Sequence, residues 1–157
     1  MEIILLTIGK TSQTFIQAGI DEYLKRLKRY VSFKIETIPD LKSAKSLTAE
    51  LQKEKEGDAI LNSITTSDFC ILLDERGKEY TSVEFSGRLQ KIMASGRKRA
   101  VFIVGGPYGF SQAVYNRADE KISFSKMTFT HEMIRLFFTE QIYRAMTILK
   151  GEPYHHD

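Results

Sequence analysis

Three short stretches of this chain hold residues whose types and spacing suit the binding of a small ligand. The first is Phe124–Leu149, FSKMTFTHEMIRLFFTEQIYRAMTIL, a polar turn running into a helix that also carries Arg135, Glu140, Gln141, Tyr143 and Arg144. A loop that enters a helix presents free backbone N–H groups beside a positive dipole end, which suits carbonyl, ring-nitrogen or carboxylate acceptors. The second is Gly105-Gly106-Pro107-Tyr108-Gly109-Phe110. Adjacent glycines let a backbone approach a flat ligand closely, although a plain turn has the same composition. It is not a P-loop, since no Gly-Lys-Ser/Thr follows, and it lacks the G-x-G-x-x-G dinucleotide fingerprint. The third is Asp74-Glu75, readable as a general base pair, as a ribose-binding site, or as a charged turn neutralised by Arg76 and Lys78. His131, His155 and His156 have no spacing typical of zinc, and no Ser/His/Asp set or nucleophilic cysteine stands out.

The elements that must position these stretches alternate between strand and helix. Met1–Ile8 is a continuous apolar run and reads as a buried strand. Thr11–Tyr30 has helical spacing, Phe33–Ile38 alternates as a second strand, and Leu41–Ser46 reads as a mobile polar connection. Leu47–Ile64 is helical with an interruption expected at Gly57-Asp58. Asp68–Leu73 is a third strand that ends in the charged turn Asp74–Lys78. Ser82 is placed as the cap of a helix to about Ser95, Arg99–Val104 is a fourth strand, and Ser111 caps a short helix to about Asn116. Glu120–Phe124 is a fifth strand. The last helix has Met133, Ile134, Phe137, Phe138, Ile142, Ala145, Met146 and Leu149 on one stripe, Thr130 as its N-cap, and Gly151 and Pro153 as its stop. Pro153–Asp157 reads as a frayed tail. This order predicts an α/β fold with a mostly parallel sheet flanked by helices, in one domain over residues 1–157. In such sheets ligands gather beyond the carboxyl ends of strands, so one pocket collecting Leu73-Asp74, Gly105-Gly106 and Phe124–Phe129 is expected.

The 157 residues suffice for one core, burying about 68–70% of the unfolded surface. The net charge is only +3, so any nucleic-acid contact must come from clusters: Lys25, Arg26, Lys28 and Arg29, and Arg97, Lys98 and Arg99. Solvated helix faces and turn charges are the other reading of these clusters. The single cysteine, Cys70, lies in an apolar run, which fits a reducing compartment. No apolar run approaches the roughly 18 residues needed to cross a membrane, and no signal peptide is evident, so a cytoplasmic protein is expected.

Taken in order, strand-LD-x-x-G-K, strand-GGPYG, FSKMTF, EQIYRAM and the terminal GEPYH resemble the small SPOUT-class methyltransferases of large-subunit rRNA, in particular the pseudouridine N3-methyltransferase family. The likeness spans essentially the whole chain, with one departure: Thr130 stands where a proline usually precedes the histidine. The resemblance implies a C-terminal third threaded into a trefoil knot, a homodimer, and S-adenosylmethionine held in the knot. It carries cofactor contacts onto Leu73, Gly105, Phe124, Ser125, Lys126, Met127, Thr128 and Phe129, and substrate handling onto Arg144, Tyr154 and His155. The implied substrate is a pseudouridine of large-subunit rRNA on the ribosome, with the Lys25–Arg29 helix as part of the rRNA footprint. No metal and no membrane are implied. Two other classes compete: a non-catalytic RNA-binding module, which would not bind S-adenosylmethionine, and a nucleotide-dependent enzyme, which should show the missing glycine fingerprint.

Overall fold

The computed structural model describes residues 1–156. Five strands form one sheet in the order β2-β1-β4-β3-β5: β1 Glu2–Ile8, β2 Ser32–Ile38, β3 Phe69–Glu79, β4 Arg99–Val104 and β5 Glu120–Ser123. Every strand pairing is parallel, which requires crossover connections, here through helices. The helices are α1 Thr14–Leu27, α2 Ala49–Ser63, α3 Ser82–Met93, α4 Gln112–Arg117 and α5 Met133–Leu149.

Because side chains alternate across a strand, β1 feeds two cores. Ile3 and Leu5 join Leu27 of α1, Phe85 and Leu89 of α3, and Phe138 and Ile142 of α5 on one face. Ile4, Leu6 and Ile8 join Ile60 of α2 and Val114 of α4 on the other. The result is a three-layer sandwich with the heavier helical layer on the α1, α3 and α5 side.

Several expectations change in detail. The N-cap of α3 is Thr81, not Ser82: Thr81 accepts from Glu84 N–H while the Glu84 side chain accepts from Thr81 N–H, a complete capping box. Helix α2 runs through Gly57 without a break, and Gly57 stands where a side chain would collide with Ser111. The Leu41–Ser46 connection contains one 3-10 turn, Ala44–Ser46. The tail is docked at Tyr154, whose ring lies 4.7 Å from that of Tyr143; Asp157 lies outside the described residues. The stop of α5 is as expected. Gly151 has φ +67°, and Gly151 and Glu152 N–H groups return to Ile148 and Thr147 carbonyls at 3.0 Å each, a Schellman ending.

The segment Asp74–Lys78 is not a turn after β3 but part of it. Leu73 pairs with Ile122, the chain bulges, and Lys78 and Glu79 return to pair with Ile122 and Ser123. Gly77 makes this possible, since a Cβ there would sit 2.5 Å from both the N and C atoms of Ile122.

The start of α5 is tied to the far end of the chain. Arg135, 1% exposed, donates from Nη2 to Ile8 O, from Nη1 to Gly9 O, both at 2.9 Å, and to Thr11 Oγ1 at 3.1 Å. Burial pushes its pKa down, against the nearby negative charges of Glu132 and Asp40. One residue before the helix, the Glu132 carboxylate accepts from the backbone N–H groups of Ser12 and Gln13 and from the Ser12 hydroxyl. These donors hold Glu132 below the usual carboxylate range, the Gln13 N–H contributing most.

Gly77→Ala is expected to cost roughly 1–3 kcal/mol, the range for forcing extra atoms into a packed site; an unchanged urea midpoint would contradict the register described. For Glu132 the folded pKa is depressed, so its tether is fully present above the ordinary carboxylate pKa of 4.5 and is lost as pH falls through the lower folded value. The Ser12 and Gln13 amide signals should therefore titrate together below pH 4.5, and Glu132→Gln should abolish that titration. A shared midpoint above that value would refute the tether.

Candidate active site

Leu73 pairs with Val104 on one side and with Ile122 on the other, so the chains leaving β4, β3 and β5 start side by side. The bulge of β3 and the chains leaving β4 and β5 open into a cleft of about 1170 Å³, lined by Leu73, Asp74, Gly105, Gly106 and the loop after β5. Of the residues expected to touch a cofactor, Leu73, Gly105, Phe124, Ser125, Met127, Thr128 and Phe129 all line this cleft; Lys126 does not. The single pocket expected from three strand ends is present.

Each loop is shaped by its own residues. In the glycine turn, Gly109 N–H donates to Gly106 O at 3.1 Å, and Gly109 takes φ +80°, a conformation that favours glycine. In the loop after β5, Ser125 Oγ accepts from Met127 N–H at 2.9 Å, and Ser123 Oγ donates to Ser125 O at 3.0 Å. Phe124 packs against Phe138 and Phe85, which anchors the loop's first residue, whereas Met127 is 78% exposed. Thr130 caps α5 as expected, just ahead of the first regular residue Met133: its Oγ1 accepts from Met133 N–H and its carbonyl from Ile134 N–H, both at 3.1 Å, whereas Glu132, immediately before the helix, makes no side-chain cap bond. Threonine thus supplies a hydrogen bond at a point where proline would supply rigidity.

Asp74 is not neutralised by Arg76 and Lys78 side chains. One carboxylate oxygen accepts from the Arg76 backbone N–H at 2.8 Å and the other from the Tyr115 hydroxyl. Burial, reinforced by Asp74, pushes the Tyr115 phenol up to about 12. The cleft wall carries Glu50, Asp74, Glu75 and Glu132 against Lys53 and Arg76, an excess of negative charge that favours a cationic ligand.

Sequence reasoning missed two walls. Gln13, Phe15 and Ile16 enter from the start of α1, and Glu50 and Lys53 from α2. The three-residue step from Glu50 to Lys53 marks one helix face, but nothing local says that this face meets a ligand.

Arg144, Tyr154 and His155 form a second centre outside that cleft. Arg144 donates from Nε and Nη2 to Glu140 Oε1 at 3.1 and 2.6 Å, and its Nη1 lies 3.1 Å from His155 Nδ1. The guanidinium stands 4.7 Å over the Tyr154 ring. Tyr154 donates to the same Glu140 oxygen at 3.0 Å and lies 3.3 Å from the Tyr23 hydroxyl; burial first, then these partners, raise its pKa well above the usual phenol value. Eleven residues of helix separate Met133, on the cleft wall, from Arg144, or roughly 16 Å at 1.5 Å per residue.

The two basic clusters differ in kind. Arg97 caps the carbonyls of Thr66, Ser67 and Asp68, and Arg99 pairs with Asp68 at 3.1 Å, so those two are structural. In the α1 cluster Arg26 pairs with Glu22, while Lys25, Lys28 and Arg29 are exposed beside Lys150, which stands 4.8 Å over the Tyr30 ring. Among the described residues no group of three His, Cys, Asp or Glu side chains could hold a metal ion, and no helix is long and apolar enough to cross a membrane.

Comparison with known proteins places the whole chain. It is 57% identical over 157 residues to the ribosomal RNA large subunit methyltransferase H of Parabacteroides distasonis, covering 100% of both chains. It is 57% identical over 156 residues to the protein of the same name from Christiangramia forsetii, covering 99% of each. It is 55% identical to that of Porphyromonas gingivalis over the full length of both. The family described as predicted SPOUT methyltransferase matches residues 1–155, and the chain belongs to that family.

Proposed function

We propose that this chain is an S-adenosylmethionine-dependent methyltransferase that methylates N3 of a pseudouridine in large-subunit rRNA on the assembled ribosome, acting as a cytoplasmic homodimer with a knotted C-terminal third. The observation that carries the reading is the convergence of three strand ends on one cleft. That cleft is lined by the glycine turn and the Phe124–Phe129 loop, in a chain 55–57% identical to rRNA large subunit methyltransferases along its full length. A binding module without catalysis gives no reason for the cleft's surplus of carboxylates.

The residues fit the donor. The backbone at Gly105 and Gly106 is open to a flat ring, Leu73, Phe124 and Phe129 offer apolar contact, and the negative wall suits a sulfonium. When bound, S-adenosylmethionine supplies a methyl group attached to positively charged sulfur. Lys126, outside the cleft lining, faces solvent and serves at the rim.

The acceptor nitrogen must give up its proton as the N–C bond forms and the methyl–sulfur bond breaks, so the ring carries negative charge only on the way to a neutral methylated product. Arg144 is always protonated and planar, and is the group to stabilise that charge or to grip a neighbouring phosphate. Glu140, His155 and the Tyr154 ring hold its orientation. His155, whose Nδ1 lies 3.1 Å from Arg144 Nη1, handles substrate together with Arg144. These groups stand apart from the same chain's donor cleft, so a second copy must bring one centre to the other. The exposed apolar residues Phe15, Met127 and Phe129, all on the cleft lining, and Phe137 nearby suit that contact. Lys25, Lys28, Arg29 and Lys150 offer an exposed basic surface for rRNA phosphates.

The test is methyl transfer from labelled S-adenosylmethionine to ribosomes lacking the modification, with free subunits and naked rRNA alongside. Label should appear in large-subunit rRNA only with assembled ribosomes; no label on any of them would refute the reading. Arg144→Ala should lower turnover by about 10²-fold, as loss of a charge-stabilising donor does, with donor binding preserved. Turnover close to wild type would remove Arg144 from catalysis, and full activity after deletion beyond Gly151 would remove Tyr154 and His155.

A further inference from the structure

Helix α2 contains a carboxylate that neither the fold nor the proposed reaction uses. Glu56 is 4% exposed. Its Oε1 accepts from Gln52 Nε2 at 2.9 Å, and its Oε2 has no hydrogen-bond partner. A buried carboxylate costs free energy unless its lone pairs are met, so an apolar side chain would be the better filler.

What Glu56 touches is the back of the glycine turn. A Cβ on Gly106 would run into Oε2, with Cδ 2.7 Å and Oε1 2.8 Å away. The carboxylate thus fills the space that a side chain at Gly106 would need, and the turn can pack against it only because residue 106 is glycine. The next residue completes the grip, since Gly57 leaves room for Ser111 Oγ and Cβ at the other end of the same turn. One and two turns earlier, Lys53 and Glu50 on the same face line the cleft itself.

We infer that Glu56 is a positioning residue for the methyl donor: its carboxylate sets where the Gly105–Gly109 turn stands, and therefore how tightly the donor is held. This rests on the donor occupying the cleft. Affinity should respond and the chemical step should not, because Glu56 touches no reacting atom.

The experiment measures S-adenosylmethionine binding to the full-length protein by calorimetry, with melting temperature and kcat at saturating donor alongside, for wild type, Glu56→Gln, Glu56→Ala, Gly106→Ala and the Glu56→Ala/Gly106→Ala double variant. Glutamine offers one carbonyl oxygen for two demands, so the order of affinity should be wild type, then Glu56→Gln, then Glu56→Ala, the last weaker by about tenfold. Gly106→Ala should weaken binding by about tenfold alone but by less than about twofold when Glu56 is already alanine, since the space is then vacant. For the Glu56 variants kcat should stay within a factor of about two. Should Glu56→Ala unfold, Glu56→Gln and Gly106→Ala still decide the matter. Wild-type affinity in the Glu56 variants, or a fall in kcat matching the fall in affinity, would overturn the positioning role while leaving the donor cleft intact. A wild-type protein that binds no donor would overturn the cleft assignment and this role with it.

Discussion

A guanidinium buried among backbone carbonyls joins the two ends of this chain. Arg135 has no carboxylate in hydrogen-bond contact, yet it meets Ile8 O, Gly9 O, Thr11 Oγ1 and His131 O. The Ile8 and Gly9 carbonyls lie at the carboxyl end of β1, where the strand ladder runs out and partners are owed. An arginine whose fork is so engaged tolerates one position for α5 relative to the sheet. Because α5 begins directly after the Phe124–Phe129 loop, the loop's far end is fixed by the same contact, and Glu132 adds the tether to Ser12 and Gln13.

With both ends of that loop held, the cleft follows from register. Parallel pairing sets Leu73 between Val104 and Ile122, so the three outgoing chains cannot avoid one another. The bulge at 74–77 then turns Asp74 toward Tyr115, and the close crossing of Gly77 over Ile122 keeps the bulge tight. The glycine turn is held from behind by α2. Rigid elements thus present three stretches of backbone to one volume, the arrangement by which open α/β sheets bind ligands.

Much of this could be read from the chain. Strand and helix alternation, the apolar run of β1, the Ser111 cap and the Gly151 stop are local signals and stand where expected. The convergence of Leu73, Gly105 and Phe124–Phe129 followed from a general rule about strand ends. What escaped has a common cause: contacts between residues distant in sequence. Gly57 looks like a helix breaker until Ser111 is seen to need its missing side chain. Asp74–Lys78 looks like a charged turn because its composition says nothing of Ile122. Arg135 looks like one more polar residue on α5, although Ile8, Gly9 and Thr11, which it binds, lie more than a hundred residues away. Thr81 and Ser82 are both good caps, and only the reciprocal bond from Glu84 separates them. The separation of Arg144, Tyr154 and His155 from the cleft is a matter of helix length, invisible until the helix is seated.

The central claim is that the cleft at the ends of β3, β4 and β5 is where the methyl donor sits. The most direct measurement is a crystal structure of the protein with S-adenosylmethionine. The account predicts ordered density against Leu73, the Gly105–Gly109 turn and the Phe124–Phe129 loop, with the sulfonium beside the carboxylates of the wall. A donor bound at any other place, with this cleft filled by solvent, would contradict it.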